Sequence, residues 1–171
     1  MNSRKSIFTP VRCVFILLTI AVMVIIFMFS CEDSEESSER SGFVTSIVIN
    51  LIEPHFDELP EAEQEAVIDR AERIIRKVAH FTVFAALGFC ASCAVGKRPL
   101  LSPLSGGVLG FCFLYACSDE LHQRFVSGRS GEFRDVLIDS SGSLTGILLS
   151  IIAIGIVSNL VSRHHSVKTS G

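Results

Sequence analysis

Three long runs of uncharged, mostly apolar residues divide the chain. They cover residues 13–31, 99–118 and 140–162, which are 19, 20 and 23 residues long. A helix of about 20 apolar residues crosses the hydrocarbon core of a bilayer. The mean hydropathy of +0.49 is also too apolar for an ordinary soluble domain. The runs therefore predict three membrane-spanning helices.

A further span is predicted just before Lys97. Residues 60–78 are expected to form an amphipathic helix, with Pro60 in its first turn and an apolar stripe at helical spacing. Only 16 residues separate His80 from Lys97, but an extension back to Lys77 gives 20. The predicted fold is therefore an all-α, polytopic membrane bundle of about four transmembrane helices with an amphipathic outer helix.

The charge distribution divides the chain into segments. All 18 acidic residues fall between Glu32 and Asp139. Residues 32–40 are rich in Ser and Glu and predict a flexible linker, and the apolar stretch 43–52 is too short to span a bilayer. The predicted segments are a cytoplasmic N-terminus (1–12), a first transmembrane helix (13–31), an acidic outer segment with the amphipathic helix (32–76), a core of three transmembrane helices (77–162) and a polar tail (163–171).

The charges around the first helix predict its orientation. Three cations precede this helix and acidic residues follow it directly, and cationic flanks stay in the cytoplasm. Both termini are therefore placed in the cytoplasm. A retained helix is favoured over a cleaved signal peptide, because the run is long and no Ala-x-Ala site follows it. Whether Cys31 is acylated stays open.

Cysteine and charge content bear on the class of function. Among six cysteines, Cys90 and Cys93 have C-x-x-C spacing, but no second pair completes a tetrahedral zinc site. The pattern therefore favours helix packing. The net charge is −3 and no basic face dominates, which argues against a nucleic-acid partner.

Small residues in the apolar runs indicate close helix contacts. Gly142 and Gly146 form a G-x-x-x-G pattern near the start of the last span. Gly106, Gly107 and Gly110 are also small enough for two helix backbones to approach each other. We expect helix packing at both sets of glycines.

A dense polar segment, residues 118–142, lies between the last two apolar runs. With four spans, it meets the start of the second span at one membrane surface. Asp139 follows three apolar residues, so it should lie at the hydrocarbon edge and need a partner such as His80, Arg129 or Arg134. The residues expected to form a ligand-binding cluster are Lys77, His80, Asp119, Glu120, His122, Gln123, Arg129, Asp135 and Asp139.

Two interpretations of this cluster remain open. A polar clamp would pair arginine with the carboxylates and hold the helices in register. A functional site would bind a divalent metal or act as acid and base. The metal-ligand candidates are His80, Asp119 and His122, and Asp139 joins them as a candidate for catalysis. No H-E-x-x-H motif is present, so the spacing matches no strict metal site.

The same residues resemble the motifs of the VanZ-like family. In order, these motifs are Arg76-Lys77-x-x-His80-Phe81, Asp119-Glu120-x-His122-Gln123 and Gly128-Arg129 with Asp135 and Asp139. The resemblance covers residues 76–152. It implies a multi-pass protein of the bacterial cell membrane, and the founding member of that family is associated with low-level resistance to the glycopeptide teicoplanin.

The resemblance implies no established catalytic residue, and whether the chain is an enzyme stays open. One hypothesis is a non-enzymatic protein in the lipid bilayer, linked to cell-envelope homeostasis, whose outer cluster binds a cell-wall precursor, a lipid headgroup or a glycopeptide. Another is a membrane-embedded, metal-assisted hydrolase or transferase acting on a lipid-linked envelope substrate. A third is transport through a proton relay of Asp139 and His80, which would require an oligomer because four spans are few for a carrier.

Overall fold

The computed structural model describes the backbone of residues 10–31, 34–126 and 131–169, and the side chains of 10–31, 42–126 and 131–162. Within these ranges all regular secondary structure is helical, which confirms the all-α prediction. The elements are α1 (Pro10–Cys31), α2 (Ser34–Ile52), a short 3-10 turn (Phe56–Glu58), α3 (Glu61–Val95), α4 (Pro103–Gln123) and α5 (Phe133–Thr169).

Three of these helices are long and apolar enough to cross a membrane. They are α1, α3 and the Phe133–Ser162 part of α5. Large hydrophobic side chains such as Leu17 on α1 and Ile152 on α5 are more than half exposed, as expected for helices that face lipid tails. Helix α4 has 21 residues, but its last turn carries Asp119 and Glu120. The structure is therefore a helical membrane bundle.

Helix α3 lies at the centre of the bundle and contacts every other helix. It joins the predicted amphipathic helix and the predicted second span into one helix of 35 residues. At about 1.5 Å per residue it is roughly 52 Å long, which exceeds the thickness of a bilayer. The sequence left the end of the amphipathic helix open, and the structure shows no break near Val78.

The α3–α5 interface depends on glycine. A Cβ atom at Gly142 would lie 3.1 Å from the backbone carbon of Phe81, and one at Gly88 would lie 2.8 Å from that of Ser143. A Cβ atom at Gly146 would lie 2.7 Å from the backbone nitrogen of Phe89. The predicted packing role of Gly142 and Gly146 is confirmed, because side chains there would push the two backbones apart.

The predicted role of Gly106, Gly107 and Gly110 in helix contacts is wrong. A Cβ atom at any of them would meet nothing within 4 Å among the residues that the structure describes. The reason lies in the rotation of α4 about its axis. Its buried face is formed by Val108, Cys112 and Ala116, spaced four residues apart, and the glycines lie outside this stripe.

The predicted flexible linker over residues 32–40 is also wrong where the structure describes it, because α2 begins at Ser34. Glu, which occurs four times in residues 32–40, is a good helix former. The apolar part of α2, Gly42–Ile52, is too short to span a bilayer. It packs against α3, with Thr45 and Ile49 buried.

The core of the bundle is built from α1, α3, α4 and α5. Its fully buried side chains include Ile26, Phe84, Leu87, Cys112 and Ile147. Cys90 and Cys93 are free thiols inside α3, and Cys93 is buried. The structure thus agrees with a packing role for this pair.

Arg98 closes the end of the bundle where α3 ends and α4 begins. Its guanidinium donates to the backbone oxygens of Ser92 at 2.8 Å and Gly96 at 2.9 Å, and to the hydroxyl oxygens of Ser92 and Ser105. Arg12 of α1 donates to the Val95 carbonyl at 3.1 Å. Both cations neutralise carbonyl groups at the negative end of the α3 dipole.

Candidate functional site

The opposite end of the bundle, which we call the polar end, is where α1 and α4 finish and α5 starts. Three helices bring His80, Asp119 and Asp139 together there. The Nδ1 atom of His80 lies 3.7 Å from Oδ2 of Asp139 and 3.9 Å from Oδ2 of Asp119. One ligand atom from each of the three residues lies within 4.8 Å of the others. We call these residues the triad.

The triad is almost entirely removed from solvent. The side chains of Asp119 and Asp139 are 2% and 1% exposed, and that of His80 is 14% exposed. Burying a carboxylate in an apolar bundle costs several kcal/mol unless a partner compensates its charge. The small exposure of His80 shows that the triad borders the outside of the bundle on the imidazole side.

Two hydrogen-bond donors orient Asp119. Ser30 of α1 donates to Oδ1 at 2.6 Å, and Gln123 of α4 donates to Oδ2 at 2.9 Å. Gln123 also donates to the Ser30 hydroxyl at 3.3 Å. Gln123 belongs to the cluster predicted from the sequence, whereas Ser30, a fully buried residue, does not. The sequence does place Ser30 four residues after Ile26, so the two residues share the buried face of α1.

Asp139 lacks comparable support. Both of its carboxylate oxygens are buried and have no hydrogen-bond partner among the residues that the structure describes. The distance to His80 exceeds the usual range of about 2.7–3.2 Å for a hydrogen bond. Buried polar atoms are nearly always satisfied by a protein group, a water or an ion. The carboxylate of Asp139 is therefore poised to accept a proton donor or a cation.

Further charged residues lie at the polar end, beyond the triad. Lys77 pairs with Asp135 at 2.6 Å, and the backbone nitrogen of Glu132 donates to Glu120 at 2.9 Å. Glu120 lies beyond the apolar run that ends at Ser118. Burial and the nearby Asp135 raise the pKa of Glu120 to about 7. Glu120 can thus carry a proton near neutral pH.

The structure places His122 away from the triad. Its Nε2 atom lies 3.4 Å from the sulfur of Cys31, and its ring is 5.0 Å from that of Phe27. Of the metal-ligand candidates His80, Asp119 and His122, the first two therefore come together, and Asp139 takes the place of the third. Helical geometry explains the difference, because a residue three positions from Asp119 lies about 60° from it around the axis.

Arg129 and Arg134 were the two arginines expected near Asp139. Arg134 is exposed, and Arg129 lies outside the described residues. Lys77 pairs with Asp135, and His80 lies beside Asp139. The specific arginine pairs of the clamp interpretation are thus not observed within the described part of the chain.

The triad combines one imidazole nitrogen with two carboxylates. Such a donor set can hold a divalent first-row metal ion, and it can also move a proton between His80 and a carboxylate. Its carboxylates are 2% and 1% exposed and its imidazole is 14% exposed, so His80 is the member of the triad that reaches the surface of the bundle. Ionisable residues within a membrane bundle mark a candidate functional site.

A family model described as VanZ/LLP1 matches residues 15–154, which is more than half of the chain. The chain belongs to the VanZ/LLP1 family. The match begins in α1, so the family region is wider than the resemblance over residues 76–152. It includes Ser30 and the whole triad of this VanZ/LLP1 membrane protein. No curated protein and no solved structure matches the chain.

Proposed function

We propose that this VanZ/LLP1 protein binds a component of the bacterial cell envelope through the polar end of its bundle. The ligand class comprises cell-wall precursors, lipid headgroups and glycopeptides such as teicoplanin. The proposal places both termini in the cytoplasm and the polar end outward, since cations precede α1 and acidic residues follow it.

The unsatisfied carboxylate of Asp139 carries this proposal. A clamp that only held helices together would gain most if every buried polar atom were paired. Here Asp119 is satisfied by Ser30 and Gln123, whereas neither oxygen of Asp139 has a hydrogen-bond partner among the described residues. Buried groups left unpaired in this way are typical of binding sites, where a ligand completes the network.

A binding experiment with matched variants tests the proposal. Full-length protein in nanodiscs is titrated with teicoplanin, with a lipid-linked cell-wall precursor and with anionic lipid headgroups. We expect His80→Ala and Asp139→Asn to weaken binding of one ligand roughly tenfold or more, which is about 1.4 kcal/mol. Asp69→Asn is the control, because Asp69 is an exposed carboxylate of α3 paired with Arg73.

Either of two results would refute the binding function. The wild-type protein could bind none of the three ligand classes, or the triad variants could bind as well as Asp69→Asn does. Family membership links the protein to glycopeptide resistance only through the founding relative, so a teicoplanin response is one outcome among the three ligands and not the premise.

A second candidate is a membrane-embedded hydrolase or transferase, favoured by the proximity of His80 to two carboxylates. In this alternative, His80 acts as base and a lipid-linked envelope substrate enters from the exposed side of its imidazole. Turnover of such a substrate by the wild-type protein, lost in His80→Ala and kept in Asp69→Asn, would establish the enzyme. Binding without turnover would leave the first proposal standing alone.

A further inference from the structure

The triad has the spacing of a metal site. Ligands about 2.1 Å from a tetrahedral metal lie roughly 3.4 Å from one another. The two His80-to-carboxylate distances are 3.7 Å and 3.9 Å. Movements of a few tenths of an ångström would bring each of these two pairs to that separation, and the oxygens of the two carboxylates lie within 4.8 Å of each other.

Burial provides a second, independent observation. The side chain of Asp139 is 1% exposed, and both of its oxygens lack a hydrogen-bond partner among the described residues. With both carboxylates ionised, a neutral His80 gives the triad a net charge of −2 and a protonated His80 gives it a net charge of −1. A dication balances both carboxylates with His80 neutral.

We infer that His80, Asp119 and Asp139 hold one divalent first-row metal ion, such as zinc or manganese, at the polar end of the bundle. The donor set of one nitrogen and two oxygens suits these ions, whereas calcium takes six to eight oxygens. Three protein ligands leave at least one coordination position for water or another oxygen donor. The inference stands on the triad alone and does not require the envelope ligand.

The residues around Asp119 support this assignment. Ligating carboxylates are usually fixed by hydrogen bonds from neighbouring groups. Ser30 and Gln123 fix Asp119 in this way, one on each oxygen. Ser30 comes from α1, so a bound metal would connect α1 to α3, α4 and α5. Removing the Ser30 hydroxyl should therefore weaken metal binding, although Ser30 itself is not a metal ligand.

Metal analysis of the full-length protein tests the inference. All versions carry His164→Asn and His165→Asn and a tag without histidine, because tail histidines bind metal adventitiously. After exposure to zinc or manganese and dialysis, we expect roughly one ion per chain. His80→Ala and Asp139→Asn should lose it, and Ser30→Ala should bind about 10- to 100-fold more weakly. His122→Ala is the control, because His122 contacts Cys31 outside the triad.

Two outcomes would overturn the metal site. Folded wild-type protein could retain neither ion, or His80→Ala and Asp139→Asn could retain as much as His122→Ala. If those variants do not accumulate, the absorption spectrum of the cobalt-substituted wild-type protein provides the test. Ligand-field bands without thiolate charge transfer support a nitrogen and oxygen donor set, whereas thiolate charge transfer refutes it. Metal binding without binding of any envelope ligand would keep this inference and refute the proposed function.

Discussion

The replacement of Gly146 by Ala tests the close packing of α3 against α5. The added methyl group would lie 2.7 Å from the backbone nitrogen of Phe89 and closer still to the carbonyl oxygen of Ala85. Ordinary contact begins at 3.4 Å, so the helices must separate locally by at least 0.7 Å, the difference between these distances. The clashing atoms belong to the backbone and cannot move by a change of rotamer. Overpacking of this kind costs about 1–3 kcal/mol.

Gly155→Ala is the matched control for Gly146→Ala. Both glycines lie in α5, but a Cβ atom at Gly155 would meet nothing within 4 Å. There the substitution should only gain helix propensity, up to about 1 kcal/mol. In thermal unfolding of the detergent-solubilised protein, Gly146→Ala should lower Tm by about 2–12 °C. Gly155→Ala should leave it unchanged or raise it.

The separation of α3 and α5 should also reach the triad. Gly142 lies one turn before Gly146, and Asp139 lies one turn before Gly142. A local shift of at least 0.7 Å exceeds the tolerance of about 0.5 Å for a binding constellation. Gly146→Ala should thus weaken ligand or metal binding as well as stability. Equal Tm values for Gly146→Ala and Gly155→Ala would refute the packing argument.

Three further predictions concern polar contacts. In a double-mutant cycle, the effects of Lys77→Met and Asp135→Asn on the free energy of unfolding should be coupled by about 0.5–1 kcal/mol, because the two charged atoms lie 2.6 Å apart and the side chains are partly exposed. Strictly additive effects would contradict the ion pair. The pKa of Glu120 is raised from 4.5 to about 7 in the folded protein, so the free energy of unfolding should fall as pH rises from about 4.5 through 7. Glu120→Gln should flatten this part of the plot of stability against pH. An unchanged plot would contradict the raised pKa of Glu120. Arg98→Lys should lower the free energy of unfolding by about 1–3 kcal/mol, because lysine cannot reproduce the guanidinium contacts with Ser92 and Gly96; a wild-type Tm would contradict the role of Arg98.

The apolar runs predicted most of the fold because a long apolar run directly indicates a helix surrounded by lipid. Length and hydropathy identify a membrane helix without any knowledge of its neighbours. The same information could not show that α3 continues unbroken from Glu61, since the sequence changes there from amphipathic to uniformly apolar. In the sequence, such a change of pattern within one helix looks the same as a boundary between two separate helices.

Rotation of a helix about its axis was the harder quantity to predict. The glycines of the G-x-x-x-G pattern face α3, whereas Gly106, Gly107 and Gly110 do not contact a neighbouring helix. Both sets are small residues in apolar runs, and only tertiary packing distinguishes them. In α4 the stripe that includes Val108 and Cys112 has larger side chains to bury, and it determined the buried face.

In the candidate site, too, the sequence predicted some contacts and only tertiary packing determined the others. The proximity of His80 to Asp139 was expected from the order of the spans, since the predicted second and fourth spans begin near these residues at one membrane surface. The hydrogen bond from Ser30 to Asp119 joins residues 89 positions apart, and no local pattern predicts such a pair. His122 was expected beside Asp119, but the angle between positions three apart on α4 directs it towards Cys31.

The central claim is that the triad is a functional site and not a structural clamp. Its most direct test is complementation in a bacterial host whose own homologue is deleted, with envelope-antibiotic sensitivity as the phenotype and membrane levels measured for each variant. We predict that His80→Ala, Asp119→Asn and Asp139→Asn reach the membrane at wild-type levels and lose the phenotype, while Asp69→Asn keeps it. Variants that restore the phenotype, or that disappear from the membrane, would contradict the claim.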